Sequence, residues 1–394
     1  MKLFANGTVA GASAFIFCAL VAVRAIAQVP AVSAGDAAFA AGNFDAAASA
    51  YAAALAANPS DADAVLGAGT VELYRNHLRA ARAYLRRALL LDPHPTVARA
   101  RLNAIERRTA GPHDYRIAFA ASFARIPLTT VDPLPTFKAK IDGVPVTLML
   151  DTGGSNIDLS EATIERLHLK TTSAGEGVFA GGLKAKIRSL RIDRFEAPGV
   201  SVRGIPGGVV PGAALPGIDG IVGTDFLSHF LSTIDYAHRA LVLRPVTDST
   251  AFRRSAAASG ATEVPMWLVG DHFIFARARV NEAPEALYNI DTGGSGIGVD
   301  LTKSELTAAG ITPDAAHPQY MMGGGGKTQL LPFTAAVVAM GGMLRHNLPG
   351  VYVPSGGLDG LFPFAVAGRI SHEFFRHAAV TFDFASMTLV LAPS

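Results

Sequence analysis

The 394-residue sequence predicts a multidomain chain in which an all-α region of helical repeats precedes an all-β region built as two lobes. Three observations carry that expectation. An Ala-rich stretch overlays on itself at a shift of 34 residues, the texture then changes to short apolar runs broken by Gly and Pro, and within this second region one string returns 140 residues downstream. Half of the residues are hydrophobic and 17% are charged, which is enough apolar material for sizeable cores. The 40 Gly and 23 Pro stay below a low-complexity level but call for many tight turns.

The first residues read as an export signal spanning 1–27. Lys2 is followed by an apolar stretch around Val9 to Val23 and by Ala25-Ile26-Ala27, a small-x-small cleavage site before Gln28. A membrane anchor is the competing reading; the shortness of the stretch and Arg24 at its edge argue against it, and no later segment is apolar for long enough to span a bilayer. The mature chain is therefore expected to be periplasmic or secreted, without a stable membrane span. Cys18, the single cysteine, lies inside the leader, so the mature chain has no thiol for a disulfide, a nucleophile or a metal ligand. Without Lys2 and Arg24 the formal charge of +2 becomes zero. Arg86-Arg87 and Arg107-Arg108 are short groups read as solvated helix faces, and nothing resembles a nucleic-acid footprint.

The helical region is expected over 28–110. The self-overlay pairs Gly35 with Gly69, Phe44 with Leu78, Ala47 with Ala81, Ala54 with Ala88, Leu55 with Leu89 and Pro59 with Pro93. That period signals helical hairpins of the tetratricopeptide type, in which small residues at matched places let paired helices approach closely. Thr96 to Arg108 offers a further, capping helix. Such arrays bind peptides or protein partners; the alternative is that two repeats only shield one edge of the neighbouring domain.

After Gly111-Pro112 the all-β region divides into lobes at 111–250 and 251–394. Leu148-Met149-Leu150-Asp151-Thr152-Gly153-Gly154-Ser155 returns as Tyr288-Asn289-Ile290-Asp291-Thr292-Gly293-Gly294-Ser295, and the echo extends on both sides. Gly217-Ile218-Asp219-Gly220-Ile221 matches Gly357-Leu358-Asp359-Gly360-Leu361, and Thr233-Ile234-Asp235-Tyr236 matches Thr381-Phe382-Asp383-Phe384. This pattern is a duplicated domain. An apolar strand ending in Asp-Thr-Gly presents a carboxylate at a turn, with glycine allowing the bend and leaving room for a substrate. Two such lobes about a pseudo-twofold axis would set the carboxylates face to face, where like charges share one proton. One carboxyl can then activate a water while the other hydrogen-bonds the carbonyl under attack.

These residues resemble the retropepsin-like aspartic peptidases, duplicated in one chain and fused to tetratricopeptide (TPR) repeats. The resemblance implies an all-β bilobal pepsin/retropepsin-like fold, an aspartic endopeptidase without cofactor or metal, and a peptide or protein substrate lying in the inter-lobe cleft. It makes Asp151 and Asp291 the catalytic pair, has Thr152 and Thr292 tie the two loops together, places Gly153 and Gly293 at the floor, and counts Gly154 and Gly294 among the residues that support the site. It also implies flaps at Gly181-Gly182 and at Gly323-Gly324, each about 30 residues after its Asp. The family's apolar-apolar-Gly string is met by Ile221-Val222-Gly223. In the second lobe strict repeat alignment offers Leu361-Phe362-Pro363, with Pro in place of Gly, and only Val366-Ala367-Gly368 restores the pattern. Glycine after each Asp-Thr-Gly leaves no hydroxyl there to stabilise a carboxylate, so a mild pH optimum is expected.

Other strings fail. Gly326-Lys327-Thr328 lacks the first glycine of a phosphate loop, which is Met321 here; His372 and His377 are five apart rather than four; Ile157 and Ile297 replace the closing glycine of a hydrolase elbow. The rival functional reading is a non-catalytic peptide-binding adaptor that recruits a partner through the repeats.

Overall fold

The computed structural model describes residues 33–91, 96–109, 115–178, 184–210, 216–323 and 326–393. The export signal with Cys18, the first flap glycines Gly181 and Gly182, and Gly324 of the second flap lie outside them.

Among the described residues five helices come first: α1 (Ala34–Ala40), α2 (Phe44–Ala57), α3 (Ala62–Tyr74), α4 (Leu78–Leu91) and α5 (Thr96–Thr109). Ser33, Asn43 and Asp61 start the first three by accepting the amides of Asp36, Ala46 and Ala64, which satisfies donors that a helix start leaves unpaired. The matched small residues serve close approach. A Cβ on Gly35 would lie 2.4 Å from the Tyr51 ring, and one on Gly69 would lie 3.0 Å from Leu85. Phe44, Ala47 and Tyr51 of the first hairpin and Ala81, Leu85 and Ala88 of the second are buried at helical spacing.

The helices rest on the second β lobe. Their core is continuous with Trp267, Phe275, Leu287 and Phe364. Phe364 lies at the centre, with ring centroids 5.0 Å from Phe44, 5.9 Å from Phe39, 6.0 Å from Tyr74 and 5.4 Å from Phe275. The Ala365 amide donates to the Ala40 carbonyl at 2.7 Å, and Asn76 Nδ2 donates to the Phe384 carbonyl at 3.3 Å. The repeats thus cover an edge of their neighbour, the second of the two roles expected for them. Arg108 is not a solvated face residue, because its guanidinium donates to the carbonyls of Leu268 at 3.1 Å and of Gly270.

Each β lobe closes on itself, and the two closures correspond strand for strand. In lobe 1 Thr136–Ile141 pairs with Val144–Leu150, which runs parallel to Gly220–Val222; that strand pairs with Ile157–Leu159, then come Val200–Val209 and Lys184–Ala197, which returns to the first strand. Lobe 2 repeats the circuit with Phe273–Val280, Ala286–Ile290, Gly368–Ile370, Val299–Leu301, Met343–Tyr352 and Gly326–Met340. Beneath both lies a six-stranded antiparallel sheet in the order Ala124–Thr130, Ala240–Arg244, Leu231–Asp235, Ala378–Asp383, Thr388–Pro393, Thr262–Val269. At its centre Thr233 faces Thr381, their hydroxyls 2.7 Å apart, so the pseudo-twofold axis passes between two residues the repeat had matched.

The register corrects the expected threading of the second lobe. Gly220-Ile221-Val222 lies beside Leu148-Met149-Leu150, and the strand in the same relation to Tyr288-Asn289-Ile290 is Gly368-Arg369-Ile370. Neither Leu361-Phe362-Pro363 nor Val366-Ala367-Gly368 takes the place of Ile221-Val222-Gly223; Arg369-Ile370-Ser371 does. Gly368 is the counterpart of Gly220. The cause is an insertion: the repeat shift is 140 at the two aspartates and 148 at Gly220/Gly368 and Thr233/Thr381. The inserted residues include those around Phe362 and Phe364 that carry the helices.

Truncating Phe364 to Ala should cost roughly 3–5 kcal/mol, the usual range for a buried Phe. Chemical denaturation measures that loss, and hydrogen exchange should show its largest increase in residues 34–91.

Candidate active site

The two Asp-Thr-Gly turns meet at the base of the lobe boundary. Each aspartate leaves its strand with its amide donating to the parallel neighbour, Asp151 to the Val222 carbonyl and Asp291 to the Ile370 carbonyl, both at 3.1 Å. The threonines interlock. The Thr152 amide donates to Thr292 Oγ1 at 3.1 Å, the Thr292 amide donates to Thr152 Oγ1 at 3.0 Å, and Thr152 Oγ1 donates to the Ile290 carbonyl at 3.2 Å. Gly153 and Gly293 each donate an amide to Oδ1 of the aspartate two residues before, at 2.8 and 2.9 Å. Each is also required by the opposite lobe, since a Cβ on Gly153 would lie 2.4 Å from Asp291 Oδ2 and one on Gly293 would lie 2.3 Å from Asp151 Oδ1. The two carboxyl groups are therefore in contact across the boundary and hydrogen-bonded to each other.

Burial and the facing Asp291 raise the pKa of Asp151 to about 8, against smaller opposing effects from the Gly153 amide and Arg369. At neutral pH Asp151 therefore keeps its proton. The lobes differ in what surrounds their aspartates. In lobe 1 Gly154 donates to the Asp151 carbonyl at 3.0 Å, and the Ile221 side chain covers Gly154, where a Cβ would meet Ile221 Cδ1 at 2.5 Å. In lobe 2 the Ser371 hydroxyl is inserted, accepting from the Gly294 amide at 3.1 Å and donating to the Asp291 carbonyl at 2.6 Å. Arg369 Nη1 donates to Asp291 Oδ2 at 3.0 Å, and its Nη2 lies 3.8 Å from Asp300 Oδ2.

The sequence reading missed Arg369, Ser371 and Thr224, whose hydroxyl donates to the Thr152 carbonyl at 2.8 Å. The 148-residue shift was the signal that could have found the first two. It also missed the hairpin tip Asp271-His272, where burial opposes the charge on His272 but Asp271, Asp158 and Asp151 raise its pKa. Arg108 of α5 fixes this tip through Leu268 and Gly270, so the helical unit reaches the rim of the site.

The flap expectations are placed only in part. Strands Thr171–Val178 and Lys184–Ala197 form a hairpin, and so do Gln319–Gly323 and Gly326–Met340, with Gly323 opposite Gly326. Lys327 lies in this second hairpin, its ammonium 4.2 Å from the Tyr320 ring centroid, away from any strand-to-helix turn. Met321 packs against Ile297, Leu330 and Val351. His372 begins the four-residue helix His372–Phe375 and His377 lies beyond its end, so the two do not share a helix face. Among the described residues no three His, Cys, Asp or Glu side chains group as metal ligands, and no helix is long and apolar enough to cross a membrane.

Residues 137–226 match an aspartyl protease family model. Residues 38–103 match a tetratricopeptide repeat model. A retropepsin-like aspartic protease from Rickettsia conorii is similar at 20% identity, over 33% of this chain and 90% of that one, with a TM-score of 0.23. An aspartic proteinase from Irpex lacteus is similar at 13% identity, over 69% of this chain and 97% of that one, with a TM-score of 0.43. No curated protein matches the sequence.

A carboxyl whose pKa is raised on folding contributes stability that is fully present below about pH 4 and lost as pH rises through about 8. Asp151→Asn should therefore melt on the order of 2–5 °C above the parent at pH 7.5 and close to it at pH 4, as read by calorimetry.

Proposed function

We propose that this protein is an aspartic endopeptidase whose catalytic pair is Asp151 and Asp291, acting on extended peptide segments bound between the lobes. The observation that carries the reading is the contact of the two carboxyls, held by reciprocal threonine hydrogen bonds between two copies of one motif. A singly protonated pair supplies both functions that amide hydrolysis needs. The ionised carboxylate takes a proton from water as the water oxygen bonds to the carbonyl carbon, and the protonated carboxyl passes its proton to the carbonyl oxygen. When the resulting diol collapses, the first carboxyl protonates the departing nitrogen and the second recovers a proton from the diol, so the pair returns to its starting state. The Oδ1 atoms that accept the Gly153 and Gly293 amides keep a further lone pair for that water.

The rival is a peptide clamp without catalysis. The Arg369 ion pair favours it, because it occupies an oxygen of one of the two carboxylates. Export to the periplasm or outside the cell is part of the proposal and rests on Lys2, the apolar stretch and Ala25-Ile26-Ala27; N-terminal sequencing of protein from the exported fraction should begin at Gln28.

Purified parent protein should cleave casein and bind a pepstatin-type inhibitor. Asp151→Asn and Asp291→Asn should each lose about a thousandfold or more of the rate while remaining folded, since general acid and base functions are each worth orders of magnitude. Parent-like hydrolysis in both variants would exclude the pair, and a folded parent that binds peptides but cleaves none would leave the clamp. The alkaline limb of the rate profile should fall near pH 8, where Asp151 loses its proton.

A further inference from the structure

The duplicated lobes place different residues behind their two aspartates. On the strand that runs parallel beneath each turn, lobe 1 presents Ile221 opposite Met149 and lobe 2 presents Arg369 opposite Asn289. Ile221 gives Asp151 no donor. Arg369 gives Asp291 a charged one at 3.0 Å, on Oδ2, while Oδ1 is held by the Gly293 amide. From this geometry we propose that Arg369 is a positioning residue that makes the pair directional, fixing Asp291 as the ionised base that deprotonates the water and leaving Asp151 as the acid that protonates the carbonyl oxygen. The proposal rests on the peptidase reading and assigns the two roles within it.

The charged surroundings support the direction. Arg369 is enclosed by Asp291, Asp300 and Asp151; burial opposes its charge, but these carboxylates outweigh it and hold the guanidinium protonated. Asp300 reaches Arg369 from the strand Val299–Leu301, with Asp359 behind it, and burial raises its pKa to about 6, so it competes weakly for the guanidinium at acid pH. On the other side of the pair, His272, with Asp271 and Asp158 beside it, feels the charge of Asp151, whereas Arg369 is hydrogen-bonded to Asp291 itself. Arg369 Nη1 is therefore the cation in direct contact with the pair, and it contacts one member only. A cation bonded to one carboxylate lowers that group's proton affinity more than its partner's, which is enough to choose the microstate of a shared proton. Glycine at 154 and 294 makes the choice depend on Arg369, because neither position offers a hydroxyl to its aspartate.

The test replaces Arg369 by the residue that lobe 1 has in its place. In Arg369→Ile the acid limb of the kcat/KM profile should move up by about one pH unit or more and kcat should fall at least tenfold, with KM changed less than threefold; Arg369→Lys should recover most of both. An acid limb that stays within 0.2 units of the parent, or a fall confined to KM, overturns the proposal. A readout independent of activity is the carboxyl ¹³C titration of aspartate-labelled protein. Asp291, assigned with Asp291→Asn, should titrate below Asp151 in the parent, and the two should converge in Arg369→Ile. The reverse order in the parent overturns the role assignment even if no substrate is cleaved, and cleavage by the parent with the reverse order leaves the peptidase reading intact. Should Arg369→Ile fail to fold, Arg369→Ile/Asp300→Asn removes the second buried carboxylate, and the same titration decides.

Discussion

Everything at this site depends on two buried amides, those of Thr152 and Thr292, having their acceptors on the opposite lobe. Both threonines are almost fully buried, and a buried donor left without a partner costs about 1–3 kcal/mol, so any separation of the lobes exposes two such donors at once. The exchange fixes the distance between the turns. That distance places two carboxyls in contact despite their repulsion and despite the desolvation that raises Asp151. Glycine at 153 and 293 belongs to the same constraint, because each Cα lies where a Cβ would collide with the opposite carboxyl. Asp, Thr and Gly are thus one steric and hydrogen-bonding unit, and each copy requires the other.

The helical unit is attached to this scaffold through the one segment that breaks the duplication. The lobe 2 insertion raises Phe362 and Phe364 into the aromatic group of Phe39, Phe44, Tyr74, Trp267 and Phe275. Aromatic rings at 5–6 Å in edge-on arrangements combine large buried area with a preferred geometry, so the helices are positioned as well as held. From there Arg108 bonds the hairpin whose tip carries Asp271 and His272 beside lobe 1. A continuous path of packed and hydrogen-bonded groups therefore runs from the repeats to the rim of the carboxyl pair.

Much of this was legible in the sequence, and the reasons differ by feature. The helices were visible because their period is local: Gly35, Gly69, Ala47 and Ala81 repeat at the spacing at which they pack. The lobes were visible because duplication writes the same strand-turn string twice. The second threading strand was misread because an alignment held at a constant shift slides past an insertion. Val366-Ala367-Gly368 satisfies a composition rule, while Arg369-Ile370-Ser371 satisfies the hydrogen-bond register, and only the register distinguishes them. Arg369 was not singled out, since a sequence read at a constant shift does not show that a parallel strand will carry it beneath an aspartate. Arg108 misled in the same way, its partners being backbone carbonyls of another domain.

The departures from symmetry in lobe 2 are physically linked. Gly223 tolerates no side chain, because a Cβ would lie 2.4 Å from the Gly154 backbone, and Gly154 can then reach the Asp151 carbonyl directly. Ser371 has a Cβ, so the corresponding loop stands off, and its hydroxyl bridges the gap between the Gly294 amide and the Asp291 carbonyl. Two residues earlier on the same strand, Arg369 reaches the carboxylate of that aspartate. A lone arginine buried there would lose more in desolvation than one ion pair returns, and Asp300, where lobe 1 has the matching Asp158, supplies the second partner that favours its charge. In lobe 1 Ile221 occupies the corresponding position and Asp158 faces the His272 tip instead. The same acidic position in the two copies thus stands beside a basic side chain on opposite sides of the pair, Arg369 in contact with it and His272 at its rim.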